Sequence, residues 1–156
     1  MIVVSDSGPL IHLSRINKIE LLKNFFDKVY IPEAVYNEIN SQNDLSGSKE
    51  VEKYEWIKKK IIDHKTAKEL LMDRLDEGES EAIILAKKID ADLLLIDDLA
   101  GRNTARNQNI DVMGILGVLD RASEKNMIQD LEKVIRELRN KDFWMNDELF
   151  DKLIKD

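Results

Sequence analysis

The chain has 156 residues, no cysteine, a formal net charge of −7, and 35% charged against 43% hydrophobic residues. That balance suits one soluble globular domain with a sizeable core and excludes a disordered chain, a disulfide-stapled scaffold and any thiolate metal site. No apolar run approaches the roughly 20 residues that cross a bilayer, and no signal-peptide succession opens the chain, so no membrane partner is expected and a cytoplasmic location is.

The apolar run Met1-Ile2-Val3-Val4 predicts a first strand over residues 1–6, closed by Asp6. Ser7 or Gly8 suits the N-cap of a following helix and Pro9 its first position, where a missing N–H costs nothing. Leu10, Ile11 and Leu13 begin that helix, and Ile19, Leu21, Leu22, Phe25 and Phe26 mark a second. Val29-Tyr30-Ile31 reads as strand two, ended by Pro32, and the next helix carries Ala34, Val35, Glu38 and Ile39. Ser41 to Ser48 has loop composition. Residues 49–64 are ambiguous, helix giving way to a short strand near 57–62, with Lys58-Lys59-Lys60 as a solvated face.

Asp76 and Glu79 resemble a capping box in carboxylate form. The helix they open buries Ala82, Leu85, Ala86 and Ile89 at helical spacing, with Glu79 and Glu81 flanking that stripe on opposite sides. Residues 92–96 form the next buried strand, closed by Asp97-Asp98; a helix to Asn107, a strand at 110–113 and a helix at 115–123 follow. Residues 128–140 and 146–154 look like two further amphipathic helices. The alternation predicts an α/β fold, a three-layer α/β/α sandwich around a mostly parallel sheet. The whole chain, 1–156, reads as one domain, with 126–156 a helical C-terminal extension of it.

Two strands that end in carboxylates carry the first functional inference. In open α/β sheets ligands gather where the carboxyl ends of strands meet the following helices. Carboxylates converging there repel one another, so a cation is the expected resident, and oxygen-only donors suit Mg²⁺ or Mn²⁺. A metal-dependent phosphoryl-transfer or nuclease site follows as the expectation. The net charge of −7 argues against broad adhesion to nucleic acid but not against a nuclease that holds phosphate through metal and a local basic rim.

Three blocks then carry a resemblance: Val4-Ser5-Asp6-Ser7-Gly8-Pro9-Leu10-Ile11, Asp76-Glu77-Gly78-Glu79-Ser80-Glu81-Ala82-Ile83, and Leu95-Ile96-Asp97-Asp98-Leu99-Ala100-Gly101-Arg102. In order and spacing they resemble the signature blocks of the PIN-domain family, in particular a prokaryotic subfamily related to VapC-type toxins, over roughly residues 1–125. The resemblance implies a PIN-like α/β/α fold and a Mg²⁺- or Mn²⁺-dependent ribonuclease acting on RNA. Asp6 matches the first family acid with Ser7 its neighbouring hydroxyl, Glu38 the second, Glu81 the acid before Ala82, and Asp98 the acid after the late strand. The family more often has Asp at the Glu81 position. Here Ile96 replaces a small hydroxyl residue and Asp97 adds a carboxylate. The expected catalytic set is thus Asp6, Glu38, Glu81 and Asp98, with Asp6, Glu81, Asp98 and Asp97 as metal candidates.

Phosphodiester hydrolysis needs a nucleophilic water and a stabilised leaving alkoxide, and one or two metal ions supply both. Arg102 and Arg106, at i and i+4 on one helix, are candidates with Ser7 to bind flanking phosphates. Other chemistries fit less well. Ser80 starts a helix instead of sitting in a strand-to-helix elbow, no Asp-x-Asp follows strand one, and no glycine-rich phosphate loop occurs. The rival reading is a PIN-like binding or assembly module without nuclease activity. The C-terminal stripes Ile128, Leu131, Val134, Ile135 and Leu138, and Phe143, Trp144, Leu149, Phe150 and Leu153, suit packing on their own domain, or a dimer or partner surface. Homodimerisation and an antitoxin partner are implied by the toxin resemblance.

Overall fold

The computed structural model describes residues 1–41 and 51–154; apart from Ser41, the predicted loop at 41–48 lies outside them. Five short strands, β1 (Val3–Ser5), β2 (Val29–Pro32), β3 (Ile57–Lys60), β4 (Leu93–Leu95) and β5 (Val112–Met113), form one all-parallel sheet in the order β3-β2-β1-β4-β5. The central strands are apolar without interruption because both their faces are covered. Val3, Leu93 and Leu95 enter one core with Val29 and Ile31, while Val4, Leu94 and Ile96 enter the other. That alternation is the period-two geometry of a strand read on two buried sides.

Helices α1 (Ser7–Arg15), α2 (Glu20–Phe25), α3 (Glu33–Ser41), α7 (Ile115–Glu124), α8 (Leu131–Asn140) and α9 (Asp147–Ile154) build the first core; α4 (Lys65–Leu71), α5 (Glu77–Lys88) and α6 (Leu99–Asn107) lie against the second. The described part of the ambiguous stretch holds a 3-10 turn at Val51–Lys53 followed by β3, whose three lysines are exposed as expected. The C-terminal stripes are inside in part: Val134, Ile135, Leu138 and Phe150 are buried with Val118 and Leu119 of α7, whereas Trp144 and Leu149 are exposed.

Two local expectations are revised. Asp6 itself is the N-cap of α1, so Pro9 falls at the third helical position, still within the turn whose N–H groups have no intrahelical partner. Helix α4 was not foreseen from the sequence. None of its residues is buried, so it lacks the apolar periodicity by which a helix is recognised.

Candidate metal centre

Strands β1 and β4 are hydrogen-bonded neighbours, and the Asp6 amide extends their ladder by donating to Leu95 O at 2.8 Å. The chain leaves β1 toward β2 on one side and β4 toward β5 on the other, so the crevice between them is the switch point of the sheet. Asp6 and the pair Asp97-Asp98 are thereby delivered to one edge. Asp6 is 6% exposed, and its Oδ1 is buried with no hydrogen-bond partner.

The start of α5 points at the same edge. Asp76 Oδ1 accepts from the Glu79 amide at 2.7 Å while the Asp76 amide donates to Glu79 Oε1 at 2.9 Å, completing the capping box. Gly78 lies in that first turn, and its lack of a side chain makes room for acids. A methyl carbon built there would stand 2.9 Å from Glu38 Oε2, 3.5 Å from Asp6 Oδ1 and 3.6 Å from Asp76 Oδ1. Three carboxylates from three elements therefore face one point above the α5 backbone. The Ser7 hydroxyl hydrogen-bonds Glu38 and helps hold it there.

Electrostatics bear the mark of this crowding. Burial pushes the Asp6 carboxyl from 3.8 up to about 8; the Ser7 amide opposes the shift, and the charges of Asp76, Glu79 and Glu38 add to it. Burial, and then the proximity of Asp76 and Asp98, carries Glu79 from 4.5 to about 7 against the opposing Asp76 amide. Glu38 is raised as well, first by burial, with Ser7 opposing and Asp76 adding. The Asp98 carboxyl, close enough to Glu79 to raise it, joins the same cluster. Asp98 also caps α6, accepting from the Gly101 amide through Oδ2 at 2.8 Å.

The other expected site residues have surroundings of their own. Glu81, buried on the α3 side of α5, accepts from the Ala34 amide through Oε1 at 3.1 Å and pairs with Lys68 Nζ through Oε2 at 2.7 Å. Asp97 Oδ1 caps α7 by accepting from the Ile115 amide at 2.8 Å and the charge of Arg102 acts on it, while its Oδ2 is buried without a partner, 3.6 Å from where a methyl carbon on Gly8 would lie. Arg102 turns toward that loop, its Nη1 3.2 Å from where a methyl carbon on Gly114 would lie; Arg106, one turn on, is exposed. In the sequence Asp76 reads as a capping group, and Glu79 as its capping partner that, like Glu81, could also point along the sheet edge into a site. A capping box at a helix start aimed at a sheet edge is the signal that brings both beside the acid cluster. His12 packs edge-on against Phe143 at 5.0 Å.

These residues fit a hard divalent cation. The donors are all carboxylate or hydroxyl oxygens, one buried oxygen of Asp6 lacks a partner, and Gly78 leaves space among three acids. Among the described residues no three acids or histidines are already closed into a finished ligand set.

A parallel α/β sheet with acids collected at its switch point is an open α/β fold with a candidate ligand site at its carboxyl edge. Comparison narrows it: the chain matches the PIN domain family over residues 2–156, and it belongs to that family. A solved structure, a PilT N-terminus domain protein from the hyperthermophilic archaeon Sulfolobus solfataricus P2, superposes with a TM-score of 0.59 at 20% identity, covering 78% of this chain and 93% of that one. That likeness is one of fold. No curated protein matches the chain in sequence.

Proposed function

We propose that the chain is a metal-dependent ribonuclease whose cation is held by Asp6, Glu38, Glu79 and Asp98, with Asp76 orienting Glu79. The observation that carries this reading is the partnerless buried Oδ1 of Asp6, facing Glu38 and Asp76 across Gly78. Membership of the PIN domain family, whose members are typically nucleases, supports it. Glu79 takes the place first expected of Glu81, since Glu81 already spends both oxygens on Ala34 and Lys68.

When bound, Mg²⁺ or Mn²⁺ supplies the positive charge that makes a water nucleophilic and stabilises the leaving alkoxide. The protein's residues prepare for it. Asp6 and Glu79, whose carboxyls are pushed up to about 8 and about 7, would lose their protons to solvent more readily once a cation's positive charge stood beside them. Ser7 orients Glu38, the capping box fixes Glu79, and the Gly101 amide fixes Asp98. Arg102 steadies Asp97 and the start of α7, which leaves exposed Arg106 to meet a flanking phosphate. The role of a toxin in a type II toxin-antitoxin pair, as a homodimer, belongs to the same proposal. Growth arrest on expression, relieved by Asp98→Asn, tests it.

The direct test is cleavage of a mixed pool of single-stranded RNA in Mn²⁺. Asp6→Asn, Glu79→Gln and Asp98→Asn should each lower the rate by about 100-fold or more, the scale for groups acting as one unit. EDTA should abolish it. A folded wild type that leaves every RNA intact in Mn²⁺ and Mg²⁺ would favour the binding or assembly module.

A further inference from the structure

Glu81 lies two residues past Glu79 but faces away from the acid cluster, toward the first turn of α3. The amide of Ala34 belongs to that turn, where N–H groups have no carbonyl to reach within their own helix. Glu81 Oε1 takes this amide at 3.1 Å, so a side chain of α5 caps the start of α3 from outside. Lys68 of α4 holds the second oxygen at 2.7 Å and also reaches Glu77 Oε2 at 2.8 Å. One buried carboxylate thus ties three helices.

The placement of that tie bears on the site. Ala34 and Glu38 stand four residues apart and share a face of α3, the face turned to α5. Gly78 and Glu81 stand three apart on the matching face of α5. The Glu81–Ala34 bond and the close approach of Glu38 to Gly78 are therefore two rungs of one helix–helix contact. A slide or rotation of α3 along α5 would break the first and withdraw the Glu38 carboxylate in the second.

We infer that Glu81 is a positioning residue, setting the register of α3 on α5 so that Glu38 reaches the acid cluster, and not a metal ligand. The inference rests on the metal reading above. Glu81→Gln keeps an oxygen for the Ala34 amide and gives up only the ion pair, since Lys68 retains Glu77. Glu81→Ala removes the tie.

The test is Mn²⁺ titration by calorimetry, with hydrogen exchange at the Ala34 amide measured separately in EDTA. Groups that orient ligands change metal affinity by about 10–100-fold when lost, so Glu81→Ala should weaken Mn²⁺ by about that factor and Glu81→Gln by no more than about threefold. Exchange at Ala34 should quicken in Glu81→Ala and stay slow in Glu81→Gln. Loss of Mn²⁺ in Glu81→Gln as complete as in Asp6→Asn would make Glu81 a ligand and overturn the inference. So would wild-type affinity and slow Ala34 exchange in Glu81→Ala. A wild type that binds no Mn²⁺ overturns the metal reading instead, and exchange at Ala34 then decides the tie alone.

Discussion

At the scale of single residues, Asp6 governs how the metal-free protein responds to pH. Its folded value of about 8 stands above the ordinary 3.8, so between those values the native state holds a proton that the unfolded chain has released. Stability must then fall as pH rises through that window, and Glu79, raised to about 7, acts in the same direction. In EDTA, wild type should lose on the order of several kcal/mol between pH 5 and 8, since each pH unit spanned by such a window is worth about 1.4 kcal/mol. Asp6→Asn should flatten that slope in denaturant melts, and an unchanged slope would contradict the assignment. Gly78 separates function from folding at a single atom. Gly78→Ala should gain about 0.5–1 kcal/mol of helix stability, yet push Glu38 aside, because only the flexible end of that side chain lies 2.9 Å from the new methyl. Calorimetry should show Mn²⁺ affinity down about tenfold with an equal or higher melting temperature.

Among the elements, the ends of α1, α5, α6, α7 and α8 follow one plan. Asn17, Asp90, Asn109, Asn126 and Asp142 have positive φ, each two residues past the end of a helix. The residues after them donate back to Leu13, Ala86, Ala105, Ala122 and Leu138, the long bond of a Schellman closure. Asn and Asp tolerate this conformation less well than glycine, and an aspartate is also disfavoured at a helix C-terminus. Asp90→Gly should therefore raise stability by about 0.5–1 kcal/mol in thermal melts without touching the site. Helix α5 was legible in the sequence because its apolar stripe and capping pair agree. The division of labour between Glu79 and Glu81 was not. Both flank the stripe at similar angles, and only the placement of α3 and the sheet edge decides which one meets solvent-facing acids and which one meets Ala34.

For the molecule as a whole, the alternation of apolar runs and amphipathic stretches dictates the parallel sheet, and with it the meeting of Asp6 and Asp98 at neighbouring strand ends. Glu38 could be flagged as an acid beside an apolar face, but its approach to Asp6 depends on a missing side chain at Gly78, a contact between distant segments that periodicity does not encode. Asp97 illustrates the same limit, for its partner Ile115 is 18 residues away. The C-terminal helices were ambiguous between core and interface because an apolar stripe reads alike in both. Leu138 is fully buried among residues of the main core. Leu138→Ala should accordingly cost about 2–5 kcal/mol in a single cooperative transition; a separate early transition would show α8 melting by itself.

The most direct test of the central claim is calorimetric titration of Mn²⁺ at pH 8 into wild type, Asp6→Asn and Glu79→Gln. Saturable binding by wild type, lost in both variants while each stays folded, is the predicted result. A folded wild type with no saturable binding, or variants that bind as wild type does, would contradict it.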